Sequence, residues 1–144
     1  MIEVRGNLWT YPNADVRVIT TNGTVKKDGT CVMGRGCALE AKQRYPEMPL
    51  KLGRKIREQG NRVFLLLDDP VILSFPVKHH WFERADINLI HDSANMLRLG
   101  VDYHPGVRVV VMPRPGCGNG GLRWEDVKPI LAPILDDRFH VITF

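Results

Sequence analysis

Apolar residues along this chain fall into two kinds of run. Val16-Arg17-Val18-Ile19, Val63 to Leu67, Val71 to Val77, Val109-Val110-Val111-Met112 and Val141-Ile142-Thr143-Phe144 are short and nearly continuous. Such runs are strands of the kind covered on both faces of a sheet. Ile2-Glu3-Val4 adds a shorter, alternating one. Between them lie segments at helical spacing: Ala38, Ala41 and Tyr45 ahead of Pro46; Pro49 to Gln59, stopped by Gly60; Ile87, Ile90, Ala94 and Leu97, capped by Asp86 and stopped by Gly100; and Trp124, Val127, Ile130, Leu131 and Ile134. Pro129 and Pro133 should kink or shorten the last helix. Residues 23 to 30 are turn-rich and hydrophilic and read as an exposed loop. About six strands alternating with four helices predict one α/β domain over residues 1–144, three layers α/β/α around a mixed, mainly parallel six-stranded sheet.

Composition changes little in that picture. The 144 residues are 44% hydrophobic and 25% charged, ordinary for one globular domain. No apolar run approaches a membrane span and the start does not resemble a signal peptide, so a cytoplasmic monomer without membrane contact is the expectation. Three cysteines without tight spacing argue against a disulfide framework. The formal charge of +4 suits a polyanionic partner, although the basic residues are scattered.

In parallel α/β sheets ligands bind beyond the carboxyl ends of the strands. Four segments at strand ends carry candidate chemistry there: Gly6-Asn7, Thr20-Thr21-Asn22, Val77-Lys78-His79-His80, and Arg114 to Trp124 with its run Gly116-Cys117-Gly118-Asn119-Gly120-Gly121-Leu122. The glycine run joins a strand to a helix. It is either a phosphate cradle of close backbone amides at a helix start or a plain connection. Gly116, Gly118 and Gly121 match the dinucleotide-binding G-x-G-x-x-G pattern, but only one strand follows, so that fold is excluded. Gly34-Arg35-Gly36 opens another helix without a following Lys-Ser/Thr, so it is not a triphosphate loop. It either grips phosphate from a second side or merely permits a tight turn.

Lys78, at the end of an apolar strand, is either an amine aimed at an electrophilic carbon or anion, or a surface lysine. His79 and His80 point to opposite faces of an extended chain. With Cys31, Cys37, Cys117, His91, His104 and His140 they show no metal-ligand spacing, so no metal site is expected. Trp9, Trp81 and Trp124 border candidate loops, and Trp124 reads as core. Glu40, Glu47, Asp68, Asp69, Asp136 and Asp137 read as surface charge.

Taken together, these segments resemble a macrodomain, the ADP-ribose-binding α/β/α module, over nearly the whole chain and in order. Gly6-Asn7-Leu8 is similar to the family's element near adenine, and Val18 to Asn22 to its strand ending in asparagine at the distal ribose. Val32-Met33-Gly34-Arg35-Gly36-Cys37-Ala38 resembles the Met-Gly-Lys/Arg-Gly-x-Ala loop of the branch holding the terminal ADP-ribose protein glycohydrolase and DarG, which removes ADP-ribose from DNA. Phe75-Pro76-Val77-Lys78, then His80-Trp81, resembles the DarG motif Phe-Pro-Thr-Lys-x-His-Trp, and Gly118 to Leu122 followed by Trp124 resembles its diphosphate loop.

The resemblance implies a hydrolase of ADP-ribosyl links, plausibly on a nucleobase, with Lys78 catalytic. It implies a ligand site of Asn7, Leu8, Thr20, Thr21, Asn22, Met33, Gly34, Arg35, Gly36, Cys37, Ala38, Val77 and Gly116 to Leu122. ADP-ribose is the implied ligand, with no cofactor and no metal, and ADP-ribosylated DNA is the implied partner. Three departures stand out. Gly120 occupies the place of the glycohydrolase's catalytic aspartate, Val77 that of DarG's threonine, and residues 23 to 30 read as an insertion. A non-catalytic ADP-ribose reader, or a hydrolase of small derivatives such as the 1″-phosphate or O-acetyl ester, are the rival expectations.

Overall fold

In the computed structural model, which describes residues 1–144, six strands form a single sheet in the order β1-β6-β5-β2-β4-β3. The strands are β1 (Ile2–Arg5), β2 (Val16–Asn22), β3 (Leu65–Asp68), β4 (Val71–Lys78), β5 (Val110–Pro113) and β6 (Phe139–Thr143). The helices are α1 (Gly36–Arg44), α2 (Met48–Gln59), α3 (Ile87–Asp102) and α4 (Trp124–Leu131). All neighbouring strands pair parallel except β3, which runs antiparallel to β4 at the edge.

Why the strands lack polar alternation is plain from the core. Successive residues of one strand serve opposite faces: Val18, Val110, Met112 and Val141 bury against α3 and α4, while Ile19, Val111 and Ile142 bury against α1 and α2. Ser74, a hydroxyl in this apolar strand, is fully buried and satisfied, accepting from the Phe64 N–H at 2.9 Å and donating to the Arg62 carbonyl at 3.3 Å.

Three local expectations are corrected and one is met. The strand read at Val63 to Leu67 is an edge strand starting at Leu65, itself 48% exposed, because nothing covers that side. Helix α3 continues through Gly100 to Asp102, because Val101 is buried in the core and holds the last turn in place. The last helix is short, as its prolines require: it ends at Leu131, ahead of Pro133, with Ile134 and Leu135 in the following turn.

The 23–30 segment is a docked hairpin rather than an exposed loop. Val25 bridges Cys31, Gly29 is buried, and only residues 26 to 28 face water. The Cys31 N–H donates to the Pro49 carbonyl at 2.9 Å, fastening the hairpin to α2. Gly53 makes that contact close: a Cβ there would lie 1.9 Å from the Gly29 carbonyl oxygen.

Candidate functional site

The parallel strands end on one edge, and at β2 and β5 their following helices diverge to opposite faces, α1 against one core and α4 against the other. Such a switch point opens a crevice. Here it is a cleft of about 1680 Å³, ample for a nucleotide-sized ligand. All the residues proposed from the sequence line it: Asn7, Leu8, Thr20, Thr21, Asn22, Met33, Gly34, Arg35, Gly36, Cys37, Ala38, Val77, Lys78 and the Gly116 to Leu122 run.

Their roles divide by burial. Leu8, Thr21, Met33, Ala38 and Val77 are buried and form the floor and walls. Gly34 and Gly118 have open space where a Cβ would stand, so their backbone is bare to the cleft. The two glycine loops approach each other: a Cβ on Gly36 would lie 3.5 Å from Asn119 Nδ2. Helix α1 starts at Gly36 with no side-chain cap and no acid in its first turn, leaving its amide donors free for an anion. Helix α4 is different, since Glu125 and Asp126 sit in its first turn and pair with Arg123. The anion field of the cleft is therefore centred on α1 and the 116–121 loop.

Gly116 and Gly120 serve the backbone rather than the ligand. Gly116 has φ +75°, and a Cβ there would meet Ile90, Ala85 and Leu122 at 2.9 to 3.0 Å. A Cβ on Gly120 would lie 2.6 Å from the Gly116 carbonyl oxygen and 2.8 Å from Ala85 Cβ. No side chain, and so no carboxylate, fits at 120 in this loop conformation.

Lys78 is re-aimed by an irregularity in the sheet. Thr21 pairs with Pro76 but Asn22 pairs with Lys78, so β4 carries one extra residue, Val77, at the ligand end. The ammonium then reaches across to the 116–121 loop, donating to the Asn119 carbonyl and to the Trp81 carbonyl, each at 3.3 Å. It forms no ion pair with any carboxylate of the chain. Asn61 donates to the Lys78 carbonyl at 2.9 Å and steadies the strand end.

Asn22 is spoken for on two sides: its amide donates to the Val32 carbonyl and its oxygen accepts from the Thr24 N–H, each at 3.0 Å. It ties β2 to both ends of the hairpin and holds the Met33-Gly34 turn beside the strand. Asn7 likewise accepts from the Trp9 N–H at 2.8 Å, shaping its own turn.

Burial works against thiolate formation at all three cysteines. Burial pushes the Cys31 thiol up to about 12 and raises those of Cys37 and Cys117 as well. Cys37 instead fills the joint between α1 and β2, 3.4 Å from the Thr20 hydroxyl.

Seven cationic side chains line the cleft (Lys26, Arg35, Lys42, Lys78, Arg84, Arg114 and Arg123) against three carboxylates, Asp28, Glu40 and Glu83. Arg114 and Arg123 are paired with acids, which leaves five unneutralised for an anionic ligand. Sequence reasoning missed Arg84, whose position follows from loop packing and not from any local pattern. Trp124, read as core, packs against the core beneath α3 and α4 but is only partly buried there. That ring is half-buried on the cleft wall, its Nε1 donating to Glu3 at 2.7 Å and its face covered by the Arg114 guanidinium at 4.9 Å.

Comparison with known proteins agrees with this architecture. The macrodomain of Thermus aquaticus DarG superposes with a TM-score of 0.79 at 28% identity, over 99% of this chain and 97% of that one. The macrodomain of Mycobacterium tuberculosis DarG gives 0.77 at 29% identity, over 95% and 92%. Among curated proteins, the DNA ADP-ribosyl glycohydrolase of M. tuberculosis is 36% identical over 134 residues, 85% of this chain. That of T. aquaticus is 30% identical over 142 residues, 92% of this chain. The chain spans 37% of the length of each of these two curated relatives. No protein-family model matches it.

Proposed function

We propose, from the premise that this chain is a macrodomain of the DarG type, that it binds ADP-ribose in the cleft and hydrolyses its bond to a DNA base. The observation carrying this reading is Lys78: an amine in a ligand-sized cleft, held by two carbonyls at 3.3 Å, with no carboxylate to neutralise it. The diphosphate would lie between the α1 start and the 116–121 loop, where backbone donors converge. The distal ribose would then face Lys78.

The chemistry follows from what is present and what Gly120 excludes. With no acid in the loop, the amine itself is the reactive group. The Lys78 amine adds to the anomeric carbon, the glycosidic bond breaks toward the base, and the base takes the amine's proton. The sugar ring opens to an imine on Nζ. Water hydrolyses the imine, releasing ADP-ribose and restoring the amine. A non-catalytic reader is the second reading, and Gly120 is the observation that favours it.

Release of ADP-ribose from modified DNA, modified protein and the 1″-phosphate distinguishes these readings. Wild type should act on the DNA substrate, and Lys78→Ala should lose at least about 100-fold in rate. Borohydride added during turnover should leave a reduced ADP-ribose adduct on Lys78, seen by mass spectrometry. ADP-ribose binding without turnover of any substrate would make the chain a reader.

A further inference from the structure

On the rim beside Lys78, the segment His80-Trp81-Phe82 leaves large aromatic rings in water. Trp81 is 52% exposed and Phe82 is 70% exposed, although rings of this size are ordinarily drawn inward. Their backbone is not loose. The His80 N–H donates to Glu83 Oε1 at 2.9 Å and the Trp81 N–H to Thr24 Oγ1 at 2.9 Å. The Glu83 N–H donates to the His80 carbonyl at 3.1 Å. Three bonds thus hold a short turn whose side chains do not reach the core.

The rings are ordered relative to one another. His80 and Phe82 are stacked, with centroids 5.7 Å apart and planes 8° from parallel, and Trp81 stands at 89° to Phe82 with centroids 5.8 Å apart. A parallel pair beside a perpendicular ring makes a step, with one π face free for a further planar group. The Trp81 carbonyl accepts from Lys78 Nζ at 3.3 Å, so the step adjoins the amine. Between Lys78 and Arg84 the side chains are Lys, His, His, Trp, Phe, Glu and Arg, with no aliphatic residue among them. Lys26, Lys78 and Arg84 line the same cleft and form no ion pairs. Glu83 is the acid of this turn, and its carboxylate already accepts from the His80 N–H.

Aromatic faces interleaved with unpaired cations match a chain of bases joined by phosphates: every base offers a π face and every linkage a negative charge. An aliphatic-rich patch would suit a protein surface better. We propose that His80, Trp81 and Phe82 form a stacking platform for the base next to the ADP-ribosylated one in single-stranded DNA. This rests on the DNA-directed reading above. The strand must be single, because a paired base keeps its faces within the duplex stack.

The test is binding of a labelled, unmodified single strand of about ten nucleotides, followed by fluorescence anisotropy at low salt. Phe82→Ala should weaken it about 5- to 100-fold, and Phe82→Tyr should keep near-wild-type affinity. A duplex of the same sequence should bind wild type more weakly than the single strand does. ADP-ribose affinity should be equal in wild type and Phe82→Ala. With ADP-ribosylated oligonucleotide as substrate, Phe82→Ala should raise KM by a similar factor and leave kcat alone. Equal single-strand affinity in wild type and Phe82→Ala overturns the platform, as does a preference for duplex. If wild type releases no ADP-ribose from DNA, the hydrolase reading fails, while the anisotropy comparison still decides the platform.

Discussion

Gly53→Ala sets a local preference directly against a tertiary contact. Gly53 lies inside helix α2, where alanine would be favoured over glycine by about 1 kcal/mol. The new Cβ would lie 1.9 Å from the Gly29 carbonyl oxygen, 2.9 Å from the Gly29 carbonyl carbon and 3.1 Å from the Cys31 nitrogen. All three are backbone atoms, so no side chain can swing aside. The hairpin or the helix must move by more than an ångström to reach ordinary contact. Overpacking of this kind costs roughly 1–3 kcal/mol. Displacing the hairpin also threatens the Cys31 to Pro49 bond at 2.9 Å and the Arg57 to Lys26 bond at 2.9 Å, each worth about 0.5–1.5 kcal/mol.

Set against the helix gain, the net loss should be about 2 kcal/mol, or roughly 4–8 °C in Tm for a domain of this size. The consequence reaches the ligand site, because the hairpin leads through Cys31 and Val32 into Met33-Gly34-Arg35. Urea unfolding and calorimetric titration with ADP-ribose read the two effects together. Stability and affinity should fall in the same variant. A Gly53→Ala protein about 1 kcal/mol more stable than wild type, with unchanged affinity, would refute the claim that α2 holds this hairpin in place.

Two further outcomes test the loop and the electrostatics. Gly120→Asp should not confer an acid-dependent activity; it should lower Tm and weaken ADP-ribose binding, because the Cβ would meet the Gly116 carbonyl at 2.6 Å, and a faster hydrolase with wild-type Tm would contradict that geometry. Acid sensitivity should come from carboxylates held in their charged form: Asp15 by the Arg108 and Val109 amides, Asp86 by His79 and then by the Asn88 amide in the first turn of α3, both below the usual range. A depressed folded pKa means the unfolded chain binds more protons, so this stability is present above about pH 4 and is lost as pH falls through the lower folded values. The urea midpoint of Asp15→Asn should therefore lie below that of wild type at pH 6 and converge with it in strong acid.

What could be read from the sequence was whatever short-range pattern controls. Continuous apolar runs identified strands buried on both faces, because successive side chains such as Val110, Val111 and Met112 must each find a helix layer. Glycines and a strand-ending lysine identified candidate ligand segments, because bare backbone and a cationic tip are properties of single residues. Distance was not legible. That Gly36 faces Asn119, that Lys78 bonds two carbonyls, and that Gly29 lies against Gly53 are contacts between residues remote in sequence. The extra residue in β4 that turns Lys78 into the cleft depends on pairing with β2, which no local propensity encodes. Residue types therefore supplied the chemistry, whereas the register of the sheet and the docking of the hairpin decided which groups meet.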